Sequence, residues 1–217
     1  MIKNIFFDFD GVLAESVNVK TEAFKSLYLP FGSDVAEKVV DYHLANGGVS
    51  RFEKIKYFHN IFLNQDITEE EVLQWADKFS ELVLEAVVNA PEVLGTLDFL
   101  KKNYTILKFW VITGTPTTEI REIIQKRNWT NFFIEAFGAP EKKTHWTEYI
   151  LEANNLKREE TIFVGDALTD YEAAKSARLQ FVLRRTEENK PLFKEYTGWE
   201  INHLYELKDV MIQINNQ

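Results

Sequence analysis

The chain has no cysteine among its 217 residues, and that absence removes disulfide frameworks, thiolate nucleophiles and zinc–thiolate sites from consideration. Positive charge is also in short supply. Lys and Arg number 25 against 34 Asp and Glu, a net charge of -9, whereas a phosphate-backbone partner usually demands a basic face. Nucleic acid is therefore disfavoured as a partner. No apolar run approaches ~18 residues, and the first residues enter a strand-like segment without a basic and apolar leader, so the expectation is a cytoplasmic protein with no membrane partner. Internal repeats and low-complexity tracts are absent as well, and nothing in the sequence sets an oligomeric state. Hydrophobic content of 45% with 27% charged residues is ordinary for a folded chain, and 217 residues suit one domain with a substantial insertion or two small domains.

What is present begins at the first strand, Ile5-Phe6-Phe7-Asp8-Phe9-Asp10-Gly11-Val12-Leu13. It delivers two carboxylates and a glycine to the carboxyl end of an apolar run. Open parallel sheets keep their ligand crevice there, and buried charge is too costly to be placed without a use. Two further runs end in the same way: Phe109-Trp110-Val111-Ile112 enters Thr113-Gly114-Thr115, and Thr161-Ile162-Phe163-Val164 enters Gly165-Asp166, with Asp170 beyond. Lys142 and Lys143 lie between them, just ahead of a helical stretch.

Residues 16 to 89 lack this strand pattern and read as helices. Candidates are Val19 to Tyr28, Val35 to Ala45 and Arg51 to Leu63, broken at Pro30-Phe31-Gly32 and Asn46-Gly47-Gly48. A capping box at Thr68-Glu69-Glu70-Glu71 opens an amphipathic helix carrying Val72, Trp75, Ala76, Phe79, Leu82, Val83 and Ala86. The chain then alternates. A helix from Pro91 to about Lys102 is followed by a strand to Thr113, a helix from Thr117 to Arg127 and a strand near Phe132 to Phe137. Next come a helix from Thr144 to Asn154, a strand to Val164, a helix from Thr169 to Ala177 and a strand from Phe181 to Arg184. That order predicts an α/β fold with a parallel sheet covered on both faces. Leu204, Leu207, Val210 and Met211 predict a last docked helix.

Acid pair, hydroxyl, lysine and acid pair in this order resemble the haloacid dehalogenase superfamily. Its four motifs match as Asp8-Phe9-Asp10-Gly11, Thr113, Lys142 or Lys143, and Gly165-Asp166-Ala167-Leu168-Thr169-Asp170. The resemblance implies a Rossmann-like, doubly wound core of residues 1–15 and 90–217 with an inserted α-helical cap over residues 16–89. Within the superfamily it points to the capped phosphatases, the branch that includes phosphoglycolate phosphatase-like and β-phosphoglucomutase-like enzymes. The implied activity is Mg2+-dependent hydrolysis of a small phosphorylated metabolite through an aspartyl phosphate. Uncatalysed phosphate-monoester hydrolysis is so slow that enzymes on it approach ~10²¹-fold acceleration, which requires several aligned charges.

The resemblance also assigns roles. Asp8 becomes the nucleophile; an aspartate's reference pKa of ~3.9 leaves such a carboxylate ionised without an activating base. Asp10 becomes the general acid and base, with a pKa raised toward the working pH. Superfamily dehalogenases and phosphonate-cleaving relatives lack an acid there, so Asp10 favours phosphatase or phosphomutase chemistry. Thr113, Gly114 and a lysine, Lys143 in preference to Lys142, hold the phosphoryl oxygens. Asp8, Asp166 and the Asp10 carbonyl hold the metal, and Asp170 orients the lysine. Gly47-Gly48-Val49-Ser50-Arg51 looks like the Gly-x-Ser-Arg loop of capped members; Arg51 contacts the leaving group, or Ser50 merely caps a helix with Arg51 in solvent. Lys20 is a further substrate-binding candidate, at a point where β-phosphoglucomutases commonly carry histidine. Glu15-Ser16 stands where they have Asp-Ser or Asp-Thr, so the mutase is the alternative rather than the first reading. A phospho-acceptor signalling domain and an inactive binding module rank lower still. His43, His59, His145 and His203 lie in no motif and read as surface or core residues.

Overall fold

The computed structural model describes residues 1–216. Its frame is a six-stranded sheet: β1 Asn4–Phe7, β2 Lys108–Pro116, β3 Glu135–Ala139, β4 Thr161–Gly165, β5 Gln180–Arg184 and β6 Trp199–Ile201, ordered β3-β2-β1-β4-β5-β6. All neighbouring strands run parallel. Helices α1 Val17–Tyr28, α2 Ser33–Ala45, α3 Arg51–Tyr57 and α4 Glu69–Asn89 lie between β1 and β2, with α3 continued by a π-turn over Phe58–Phe62. The remainder are α5 Thr96–Asn103, α6 Thr117–Lys126, α7 Lys143–Ala153, α8 Leu168–Ser176 and α9 Leu207–Asn215. None of the described helices is long and apolar enough to cross a membrane.

The strand period of two divides the apolar residues between two cores. Ile5, Phe7, Phe109, Val111, Ile162 and Val164 point to the face covered by α6 and α9 through Ile120, Ile123, Leu207 and Val210. Phe6, Trp110, Ile112, Phe163 and Phe181 point to the other, against Ile150, Leu151, Ala173 and Ala174 of α7 and α8. Each fully buried Phe or Ile contributes on the order of 2 kcal/mol. Sheets enclosed on both faces in this way carry continuous apolar strands, which is why β1 has no polar residue facing out. The first core runs on into the helical insertion through Phe24, Tyr28, Ile55, Phe58, Phe79 and Val83.

Several boundaries differ from the sequence reading. The proline-first helix at Pro91 does not form. Residues 91–93 instead run beside 13–15, with Glu15 N–H bonded to the Pro91 carbonyl at 2.9 Å and Val93 N–H to Leu13 at 3.1 Å. These are the two chain crossings between sheet and insertion, and each satisfies the other's backbone. The next helix starts only after Gly95, at φ 87°. On α4 the capping box forms, but the buried stripe is Val72, Ala76, Phe79, Val83 and Val87, leaving Leu82 half exposed. Strand β6, only three residues long, was not anticipated.

A buried ion pair joins the insertion to the sheet. Arg51 donates to both Glu119 carboxylate oxygens, at 2.7 and 2.5 Å, while Ser80 donates to Glu119 at 2.6 Å and accepts from Arg51. The guanidinium lies 4.7 Å from the Phe79 ring centroid. Burial opposes ionisation of Glu119, but the Arg51 hydrogen bonds and charge hold its carboxyl below the usual glutamate range. The folded-state pKa is thus depressed, so the pair's stabilisation is present above the unfolded value of ~4.3 and fades as the pH falls below it. Glu119→Gln should lower the free energy of unfolding by about 3 kcal/mol at pH 7, because it leaves a buried guanidinium without an anion. Urea denaturation checks this; an unchanged midpoint would show that the pair contributes nothing.

Candidate active site

β1 lies between β2 and β4, so the three motif-bearing strands are adjacent and end at one edge. The chain builds β2 and β3 on one side of β1 and then crosses to build β4, β5 and β6 on the other, and this reversal of strand order opens a crevice there. Asp8 follows the last residue of β1 and is 3% exposed. Its Oδ1 accepts the Phe9 N–H at 2.7 Å, and its Oδ2 faces Lys143 Nζ at 2.8 Å. Lys143 is the first residue of α7 and also reaches Asp170 Oδ1 at 2.6 Å, whereas Lys142 is exposed. Asp170 Oδ2 accepts the backbone N–H groups of Ala167 and Asp166, at 3.0 and 3.2 Å, which fixes the turn after β4. The Thr169 hydroxyl reaches the Gly47 carbonyl at 3.4 Å.

The electrostatics follow from crowding. Oxygens of Asp8, Asp166 and Asp170 lie within 4.8 Å of one another with one lysine among them. Burial, and then the Asp8 and Asp170 charges, push Asp166 well above the usual carboxylate range. Burial and Asp8 likewise raise Asp170, to about 7, against the pull of Lys143. Burial disfavours the Lys143 charge, but Asp170 and Asp8 outweigh it and raise the ammonium's pKa.

Asp10 has a separate network. Ser16 donates to its Oδ1 at 2.6 Å, Thr115 donates to Oδ2 at 3.2 Å, and Lys20 pairs with the same Oδ2 while donating to Thr115 at 2.7 Å. Burial raises the Asp10 pKa, but the Lys20 charge and these hydrogen bonds overcome it and hold the carboxyl below its usual range. This is opposite to the rise that the resemblance implies, and the reason is Lys20. Thr113 lies inside β2 rather than at its end, because β2 continues to Pro116 after a register irregularity against β3. Its hydroxyl accepts the Thr115 N–H at 3.3 Å.

The helical insertion closes over this edge. A Cβ on Gly48, whose φ is +76°, would lie 2.0 Å from the Thr169 hydroxyl and 3.3 Å from Lys143 Nζ, so only glycine lets the loop approach so closely. A cavity of about 150 Å³ remains, lined among others by Asp8, Asp10, Lys20, Thr113, Gly114, Asp166, Arg51 and Lys54. Ser50 caps α3 through the Glu53 N–H at 3.3 Å, and Arg51 lines the cavity with its guanidinium engaged by Glu119.

With this geometry the sequence matches the haloacid dehalogenase-like hydrolase family over residues 2–178. The chain belongs to that family. It is 29% identical over 183 residues to a phosphoglycolate phosphatase of Photorhabdus laumondii, covering 81% of this chain and 77% of that protein. A phosphorylated carbohydrates phosphatase of Thermotoga maritima is 24% identical over 200 residues, covering 88% of this chain and 89% of the other. Among solved structures, a β-phosphoglucomutase from Clostridium difficile superposes with a TM-score of 0.79 at 19% identity, covering 100% of this chain and 98% of that one.

The acidic cluster of this family member fits a bound cation by two observations. The Asp166 carboxylate takes no hydrogen bond from any described residue, although it is crowded by two other acids. A Cβ on Gly11 would lie 2.3 Å from Asp166 Oδ2, so the glycine keeps the space beside that oxygen open. Two roles escaped the sequence reading. Thr115 serves Asp10, and Asn189, in the loop after β5, donates to the Asp166 carbonyl at 3.0 Å and to the Arg184 carbonyl at 2.8 Å. Asn189 lies in no motif; only its ability to accept the Thr186 N–H in a turn marks it locally. A divalent cation should raise the thermal midpoint of the wild type, since ligands that bind only the folded state stabilise it. In Asp166→Asn that rise should vanish, and an equal rise in both would remove Asp166 from the site.

Proposed function

We propose that the chain is a Mg2+-dependent phosphomonoester hydrolase. It acts on a small phosphorylated metabolite through an aspartyl phosphate on Asp8. The core of residues 1–15 and 90–217 carries the chemistry, and residues 16–89 form its cap, in a cytoplasmic setting. The observation that carries this reading is Asp8 itself, a buried carboxylate held by Phe9 N–H and Lys143 on the wall of a cavity that also contains Asp10. The phosphatase names of the relatives agree with it.

In the first half-reaction an Asp8 oxygen attacks phosphorus, the bond from phosphorus to the ester oxygen breaks, and Asp10 gives that oxygen its proton. In the second, Asp10 takes a proton from water, the water oxygen attacks phosphorus, and phosphate leaves Asp8 free. Lys20 beside Asp10 favours its ionised form, the form needed for the second half. Protonating the leaving oxygen requires the Lys20 contact to loosen, which gives Lys20 a positioning role. Lys143, whose charge is favoured by Asp170 and Asp8, balances the phosphoryl oxygens, and the Thr113 hydroxyl and Gly114 face the same oxygens from the cavity wall. Mg2+, held by Asp8, Asp166 and the Asp10 carbonyl, would supply the positive charge that lets an anionic ester approach an anionic nucleophile. A sugar phosphomutase would use the same Asp8 but return the phosphoryl group to an isomeric hydroxyl, so free phosphate in the product distinguishes the two.

Phosphate release from a panel of phosphorylated metabolites, with magnesium or chelator, tests the reading. Asp8→Asn should reduce turnover more than about 1000-fold while leaving the circular dichroism spectrum unchanged, since the side chains are nearly isosteric. Full activity in the variant would overturn the nucleophile.

A further inference from the structure

Four cations line the cavity, and three of them have a carboxylate partner. Lys20 has Asp10, Arg51 has Glu119, and Arg184 has Glu15 at 2.6 Å. Lys54 is the fourth. It is 2% exposed, and among the described residues the one hydrogen-bond partner of its side-chain nitrogen is His43, whose Nδ1 lies 2.9 Å away. Around the pair the insertion offers aromatic surface. The Phe24 ring lies 6.0 Å from Lys54 Nζ and 5.1 Å from the His43 ring, and Phe79 lines the same cavity.

A buried ammonium among aromatic rings is unfavourable unless an anion meets it, and for packing alone a Met or Leu would serve better. Burial, and then the Lys20 charge, lower Lys54 to about 7, with Lys143 acting in the same sense and Asp10 and Glu53 against, so near neutral pH the amine is only partly protonated until an anion beside it restores the charge. Burial, with the Lys54 and Lys20 charges, holds His43 neutral well below its ordinary range. A neutral His43 that accepts from Lys54 at Nδ1 carries its own proton at Nε2, a second donor for which no described residue is the acceptor. Two donors therefore line the cavity without an anion, on the insertion's side, while the Arg51 guanidinium is already satisfied by Glu119.

Resting on the phosphatase reading above, we propose that Lys54, positioned by His43, is the specificity-determining cation for a second anionic group on the substrate. The preferred ester then carries a carboxylate or a second phosphate on its leaving portion. The substrate then supplies the anion for the one cation lining this cavity that no carboxylate of the described residues meets.

The test compares kcat/KM for three matched esters: ethyl phosphate, phosphoglycolate and ethylene glycol bisphosphate. Wild type should prefer one anionic ester to ethyl phosphate by about 30-fold or more, the range associated with a buried charge pair; which of the two wins identifies the anion as carboxylate or phosphate. Lys54→Met should bring that ratio close to one while melting no lower than wild type, because it removes an unpaired buried charge. Lys54→Gln, which keeps a donor toward His43 without the charge, should lose the preference as well, and Lys54→Arg should retain part of it. Wild type without any preference for either anionic ester would overturn the proposal. So would Lys54 variants that lose activity equally on all three esters. Calorimetric binding of the same esters to Asp8→Asn, with and without Lys54→Met, separates the two readings. If no ester is hydrolysed the phosphatase reading fails, yet a binding preference for the anionic esters that disappears with Lys54→Met still upholds the role of Lys54, and its absence still refutes it.

Discussion

Three carboxylates crowded around one lysine at the sheet edge are the constraint on which the rest of this molecule depends. Asp8, Asp166 and Asp170 arrive from two adjacent strands and the helix after one of them, and Lys143 meets two of the three. Such an arrangement is intolerable unless the backbone is rigid, and the apolar strands provide that rigidity by burying both faces of β1. Burial, and then the charges of Asp8 and Asp170, raise the proton affinity of Asp166, and their crowding makes the cluster a candidate cation site. The same crowding explains why Lys143 is protonated despite its burial. Strand order, metal demand and lysine charge are therefore one electrostatic problem with one solution.

Most of this was legible in the sequence because the residues concerned are tied to strand ends. Asp8, Asp10, Thr113 and Asp166 follow apolar runs whose period of two fixes where the side chains emerge, and parallel pairing brings those ends together. The choice of Lys143 over Lys142 follows from α7 beginning at Lys143. What was not legible depends on contacts between distant segments. Pro91 has the propensity of a helix start, yet its neighbours pair with residues 13–15 across the crossing, a contact about 80 positions away in sequence that no local propensity encodes. Strand β6 is too short for periodicity to show. Asn189 and Thr115 act through backbone carbonyls and a neighbour's carboxylate, so their residue types alone gave no signal.

The Asp10 surroundings show how neighbours outside a motif can reverse the pKa shift that the motif implies. Two acids separated by one residue, beside further acids, favour a raised pKa on crowding alone. The structure interposes Lys20, Ser16 and Thr115, and each stabilises the ionised form. Ser16 and Lys20 lie at and after the start of α1, so the insertion, not the sheet, supplies most of that stabilisation. The protonation of a core residue is thereby set by a segment that periodicity classifies only as an amphipathic helix.

The two cations of α3 carry the same logic to its end. Arg51 and Lys54 are one turn apart on one helix, both buried, both on the cavity wall. A buried charge must be neutralised by something, so the identity of the neutralising group reports what the charge is for. Arg51 finds a bidentate carboxylate on α6 together with Ser80 on α4, and the work of that charge is finished within the folded chain: it clasps insertion to sheet. Lys54 finds an imidazole, which can position an ammonium but cannot neutralise it. A helix that needed only packing would gain from an apolar side chain at that position. A lysine kept there without a carboxylate is the ground for proposing an anion that arrives from outside, in the cavity that Asp8 also lines.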